Sequence, residues 1–201
     1  GGRGSRSMKE VGYYNGTIGP LSEINCPILD RAVYFGDSCY DATYVQNGVI
    51  FALEDTRFLH CNIKTLNLIP SVIANQKAKE AGCQEVIFHR GDRVTEMAHS
   101  NVSFLIDGTL VYHPFDNKVL PGIAIKHLIK TAEKLGVPTR AEEITVTEAM
   151  NADELIITSS GTLCNRITEV DKIPVGGKAD ELFHKLQDAA WDEFMVYTKQ
   201  K

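Results

Sequence analysis

The sequence lacks a long apolar run, an excess of basic charge and any paired-cysteine motif. Without about 20 consecutive apolar residues there is no candidate for a membrane-spanning helix. With 21 Lys and Arg against 26 Asp and Glu, the net charge is −5, which leaves no basic stripe and makes nucleic acid an unexpected partner. The five cysteines (Cys26, Cys39, Cys61, Cys83, Cys164) are odd in number and contain no Cys-x-x-Cys pair. They read as reduced thiols of a cytoplasmic protein. The six histidines are not at metal-ligand spacing, so no metal is expected. No Gly-x-Gly-x-x-Gly fingerprint, P-loop or Gly-x-Ser-x-Gly elbow is present, and Ser159-Ser160-Gly161 does not make one. Repeats and low-complexity segments are also missing.

What is there suits a folded enzyme-sized domain. The chain has 201 residues, 43% of them hydrophobic, enough for one large domain or one domain with a small companion. Gly1 to Ser7, ahead of Met8, reads as an added leader. Short alternating runs with turn residues predict strands: 12–18 around Asn15-Gly16, then a hairpin of 40–46 with 49–53 across Asn47-Gly48. Further hairpins are expected at 85–89 with 93–95 and at 101–106 with 109–113. Single strands are expected at 139–144 and 154–158. Helical periodicity appears at 66–81, closed by Gly82, and at 122–135, closed by Gly136. A short helical turn is expected at 147–150, and an amphipathic helix at 179–197 ends the series. Strands and helices do not alternate strictly, so a doubly wound parallel sheet is not indicated.

One lysine stands out. Lys64, in Cys61-Asn62-Ile63-Lys64-Thr65-Leu66-Asn67, sits among small polar and apolar residues rather than in a charged surface run. Such a setting predicts partial desolvation, which favours a neutral amine. Schiff-base chemistry requires one.

The segments that follow carry a resemblance when taken in order. They are the lysine segment; Val94-Thr95-Glu96 with Ser100-Asn101-Val102; Leu120-Pro121-Gly122-Ile123; and Ile157-Thr158-Ser159-Ser160. Near the N-terminus, Leu29-Asp30-Arg31-Ala32-Val33-Tyr34-Phe35-Gly36-Asp37 and Tyr40-Asp41 add another. From Gly12 onward the chain resembles the class IV aminotransferases, pyridoxal 5'-phosphate (PLP) enzymes of fold type IV, and among them the D-amino acid aminotransferases.

The resemblance implies an α+β fold: a truncated N-terminal α/β sandwich over 8–55, then a C-terminal α/β barrel-like PLP-binding domain over 56–201. It implies transamination between a D-amino acid such as D-alanine and a 2-oxo acid, in a homodimer. Lys64 would be the Schiff-base lysine and proton shuttle. Glu96 would pair with the pyridine nitrogen of the cofactor. Gly122, Ile123 and Ala124 at a helix start, with Ser159 and Ser160, would hold the phosphate. Leu120 would lie against the cofactor ring, Arg57 would assist anion binding, and Tyr40 would face the substrate. Read without the resemblance, each has an ordinary alternative. Glu96 is a glutamate after a hairpin, Leu120 a core leucine and Tyr40 a packed strand residue. Gly122 opens a helix, the serines lie in a polar loop, and Arg57 is a surface ion-pair partner.

The chain departs from the family pattern in one large respect. Leu53-Glu54-Asp55 runs directly into Thr56-Arg57-Phe58, where the family has most of its small domain, with a phosphate-binding arginine and a substrate-carboxylate loop. A trimmed or joined-over chain accounts for this better than a natural deletion. Losing one charge-assisted phosphate contact costs roughly 1.5–3 kcal/mol, or about one to two decades of affinity. Ala124, Ser103 and His113 also replace the family's threonine, aromatic and threonine. The alternatives are an aminodeoxychorismate lyase or branched-chain aminotransferase of the same fold, or a domain-deleted scaffold without catalysis.

Overall fold

The computed structural model describes residues 11–14, 16–25 and 48–198. The chain divides into two compact units, Gly1–Cys39 and Tyr40–Lys201. In the first, β1 (Val11–Tyr14) and β2 (Thr17–Pro20) pair antiparallel, with Tyr14 opposite Thr17. Gly16, at φ +88°, makes the expected tight turn. Tyr40 and the 29–41 segment lie outside the described residues.

The second unit is built on a nine-stranded mixed sheet in the order β5-β4-β3-β10-β9-β6-β7-β8, with β11 paired to β10. Its strands are β3 (Gly48–Glu54), β4 (Glu85–Arg90), β5 (Arg93–Met97), β6 (Asn101–Ile106), β7 (Thr109–Tyr112) and β8 (Thr139–Ala141). They continue with β9 (Glu154–Thr158), β10 (Asn165–Val170) and β11 (Ile173–Pro174). Four helices accompany them: α1 (Ile69–Glu80), α2 (Ile123–Lys134), α3 (Val146–Asn151) and α4 (Asp180–Thr198). The two ends of the sheet come together. Val94 N donates to Ile144 O at 3.0 Å, and Val146 N donates to Asp92 O at 2.8 Å, so β5 joins the chain leaving β8. The sheet thereby curls into the barrel-like form expected.

Strand alternation divides the core. On β9, Leu155 and Ile157 enter the interior cluster with Ile50, Ile87, Val102, Phe104 and Ile167. Ile156 points the other way, toward Ile125, Leu128, Phe183 and Leu186 of α2 and α4. Val86 and Phe88 of β4 pack instead against Ala74 and Ala78 of α1. Thr145 and Glu148 form a capping box at the start of α3.

β3 lies inside the large sheet, parallel to both β4 and β10, and the 40–46 half of the hairpin expected there lies outside the described residues. Parallel neighbours need a crossover, and α1 supplies it, making β3-α1-β4 a βαβ unit. Glu54, Asp55 and Arg57 form one continuous connection, with Asp55 N bonded to His89 O at 2.6 Å. The β10–β11 hairpin was not anticipated. Its turn places Asp171 and Lys172 at positive φ without a glycine, so the usual turn signal is absent.

Glu154 fastens one side of this sheet. Fully buried at the start of β9, it accepts from Arg166 Nη2 at 3.2 Å and from Gly177 N and Ala179 N at 3.0 Å each, with Arg166 Nε 2.9 Å away in an ion pair. Glu154→Ala strands Arg166 and two backbone donors. Urea denaturation should show a loss of about 3–5 kcal/mol with an unchanged m-value.

Candidate active site

The topology brings the sequence-selected residues together at one cleft. Lys64 lies on the β3–α1 connection, half-buried between the exposed Ile63 and Leu66. Arg90 pins this connection, with Nη2 donating to Arg57 O at 3.1 Å and Phe58 O at 3.2 Å. Cys61 N donates to Asn117 O at 2.9 Å, tying the same connection to the 113–120 loop. The cleft, about 860 Å³ including the solvent at its mouth, is lined by Arg57, Lys64, Glu96, Leu120, Gly122, Ile123, Ala124, Ser159 and Ser160, among others. Every predicted site residue within the described residues is on that wall.

Glu96, on β5, is 4% exposed. It accepts Arg57 Nη1 at 2.6 Å on Oε1, and Asn101 Nδ2 and Leu120 N at 3.0 Å each on Oε2. Burial pushes its carboxyl up to about 7, against the opposing pull of Arg57 and the Leu120 N–H. Asp55 sits behind it, buried, bonded to Arg57 Nε and Nη2 at 2.9 Å each, to Arg90 Nε at 3.1 Å and to Thr95 Oγ1 at 3.0 Å. Burial alone would raise its carboxyl, but the Arg57 and Arg90 guanidinium groups outweigh it and hold it below the usual carboxylate range. Arg57 also donates to Lys118 O at 3.1 Å. The role implied for Arg57 was anion binding. The structure commits its fork to two carboxylates instead, where it positions Glu96.

At another part of the wall, α2 begins at Gly122 with no side-chain cap. Its first N–H groups have no intrahelical acceptor, and the helix dipole favours an anion there. Ser159 Oγ is within 2.8 Å of Thr162 Oγ1, and Ser160 is exposed. Among the described residues, Ser100 Oγ and Thr158 Oγ1 are buried without a hydrogen-bond partner, and both residues line the cleft. Orphaned buried hydroxyls are rare and mark a site that a ligand completes. A carboxylate in one place, with unpaired donors and a helix start in another, fits a group carrying a basic ring nitrogen and an anion. PLP is such a group.

Asp55, Asn101, Ser100 and Thr158 were not singled out from sequence as site residues. Asp55, two positions before Arg57, was the one available signal. His99 lines the cleft, its Nδ1 within 2.9 Å of Asn75 Nδ2.

The family model for amino-transferase class IV matches residues 35–170, and the chain belongs to that family. It is 36% identical over 153 residues to a D-alanine aminotransferase of Listeria monocytogenes, covering 76% of this chain and 53% of the relative. It is 36% identical over 166 residues to the Staphylococcus aureus D-alanine aminotransferase, covering 81% of this chain and 59% of the relative. The Escherichia coli branched-chain amino acid aminotransferase superposes with a TM-score of 0.67 at 24% identity, over 72% of this chain and 52% of that one. The chain thus spans about half the length of the curated relatives it matches.

Two outcomes test this geometry. A carboxyl raised in the folded state takes up its proton more readily than in the unfolded chain. Its stabilising contribution is full below about pH 4.5 and is lost as pH rises through about 7. Cofactor-free protein should lose up to about 3 kcal/mol more across this window than Glu96→Gln, measured by urea titration at several pH values. Gly122 has an ordinary φ of −59°, but a Cβ there would collide with the Asn101 amide oxygen. Gly122→Ala should cost about 1–3 kcal/mol of stability by the same method and weaken cofactor binding through Asn101 and Glu96.

Proposed function

We propose that this chain binds PLP and transfers an amino group between a D-amino acid such as D-alanine and a 2-oxo acid. The observation that carries this reading is the convergence of Lys64, Glu96, the α2 start and Ser159-Ser160 on one cleft. Sequence identity to proteins named D-alanine aminotransferase supports the D-amino acid. The branched-chain reading has fold likeness behind it, at lower identity.

When bound, PLP supplies the electron sink that lets the substrate lose its α-proton. Lys64 anchors the cofactor and then, as a free amine, carries that proton from the substrate. Glu96 would pair with the ring nitrogen and keep it charged, and Arg57 with Asn101 and Leu120 N holds Glu96 in place. The N–H groups of Ile123 and Ala124 and the hydroxyls of Ser159 and Ser160 take the phosphate. Leu120 would lie against the ring, and by the family resemblance Tyr40, outside the described residues, would face the substrate.

The working form in this reading is a cytoplasmic homodimer. Exposed Ile63, Leu66, Ile69, Val72 and Ile73, along the lysine connection and α1, support a second copy covering that face. Among the described residues no helix is long and apolar enough to cross a membrane.

Absorbance after incubation with PLP tests the proposal. The intact chain should gain the visible band of lysine-linked cofactor, and Lys64→Ala should not. Adding D-alanine should convert the band to that of the pyridoxamine form, and residual transfer in Lys64→Ala should fall by at least about 10²–10⁴-fold. An intact chain without the band would overturn cofactor binding and leave the non-catalytic scaffold.

A further inference from the structure

Away from the cleft, the residues following β7 and β8 gather a histidine and two carboxylates. His113 is 7% exposed. Its Nδ1 lies 2.8 Å from Pro114 O. A carbonyl oxygen only accepts, so Nδ1 carries a proton. In the neutral ring, Nε2 then presents a lone pair. Nε2 is buried without a hydrogen-bond partner among the described residues, and it lies 3.6 Å from Glu143 Oε1. Two electron-rich atoms at that distance call for a cation between them. Asp116 adds a second carboxylate to the group. One ligand atom from each of the three residues lies within 4.8 Å of the others.

Lys118 already serves the carboxylates. Its Nζ contacts Glu143 Oε1 and stands 3.8 Å from Asp116 Oδ2. It leaves His113 Nε2 unsatisfied, and its side chain is 32% exposed, so it can swing into water.

We propose that His113, Asp116 and Glu143 form a binding site for a divalent transition-metal ion of the zinc class, for which Lys118 is the competing cation. One imidazole with two carboxylates is a nitrogen-and-oxygen set that zinc accepts, with water in the fourth position. Bond lengths of about 2.0–2.1 Å place tetrahedral ligands about 3.3 Å apart, a few tenths below the present Nε2–Oε1 separation. The Nδ1–H bond to the Pro114 carbonyl is the outer contact that fixes a metal-binding tautomer. An imidazole in the set disfavours calcium and magnesium, which take oxygen ligands. No residue of the cofactor cleft is a ligand, so the site stands apart from the transaminase reading.

The test is titration of the chelator-treated full chain with Co²⁺ and Zn²⁺, with and without PLP. Cobalt reports its donors, because thiolates give intense charge-transfer bands and nitrogen or oxygen ligands do not. One equivalent should bind without a thiolate band, whether or not PLP is present. His113→Gln and Glu143→Gln should each weaken binding by about 100-fold, with circular dichroism unchanged. Lys118→Met should tighten it. Absence of saturable binding to the intact chain would overturn the site, as would a thiolate band or affinity unchanged in His113→Gln. The cluster would then be an ion-paired group only.

Discussion

The site hangs on the guanidinium of Arg57 held between Asp55 and Glu96. A lone carboxylate as buried as Glu96 would neutralise and lose its directed charge. Arg57 opposes that, and it does so from a fixed position because Asp55 grips its other edge through Nε and Nη2. Asp55 is in turn held by Arg90, whose Nη2 also pins the backbone of the lysine connection. One chain of charge-assisted bonds therefore sets both the buried Glu96 carboxylate and the loop that carries Lys64. Removing any one member leaves a buried charge uncompensated, which costs more than the pair itself is worth.

The topology explains why that chain forms here. Lys64 leaves the carboxyl end of β3 on a crossover, the usual address of ligand sites in sheets with parallel strands. β4 and β5 place Arg90, Thr95 and Glu96 within reach of the chain leaving β3. The 113–120 loop closes the arrangement from the other side, giving Lys118 O to Arg57 and Leu120 N to Glu96. Glycine at 122 lets Asn101 approach α2 closely enough to bond both Glu96 and Leu120 O.

Local signals in the sequence revealed the parts that depend on local signals. β9 spans Glu154–Thr158 as its apolar run predicts, and α1 and α2 fall within the periodic stretches that announced them. The motif residues of the cleft were legible through resemblance, since spacing alone gives Glu96 or Ser159 no special standing. Pairing partners were not legible. Gly48–Glu54 reads equally well as half of a hairpin and as a buried parallel strand, and only the α1 crossover decides between them. Asp55 and Thr158 were hidden because burial turns an ordinary polar residue into a site residue, and burial is a tertiary property. His113, Asp116 and Glu143 were missed as a group because the β7–β8 pairing, not sequence spacing, brings them together.

Buried carboxylates recur wherever a loop must be held. Glu85 takes Ala98 N at 3.3 Å and His99 N at 2.7 Å, fixing the turn that leads from Glu96 to Asn101. Glu154 takes Gly177 N and Ala179 N, fixing the approach to α4. Asp55 takes Arg57 N at 3.1 Å, fixing the start of the lysine connection. Apolar packing is non-directional and would leave these turns free to slide. A carboxylate with backbone donors on its oxygens prescribes where each N–H must sit, and the low dielectric around it strengthens every bond. The barrel core supplies stability from both faces of the sheet, while these few buried acids supply position. Position is what a proton-moving site requires, because a reacting atom displaced by about 1 Å can cost about 100-fold in rate.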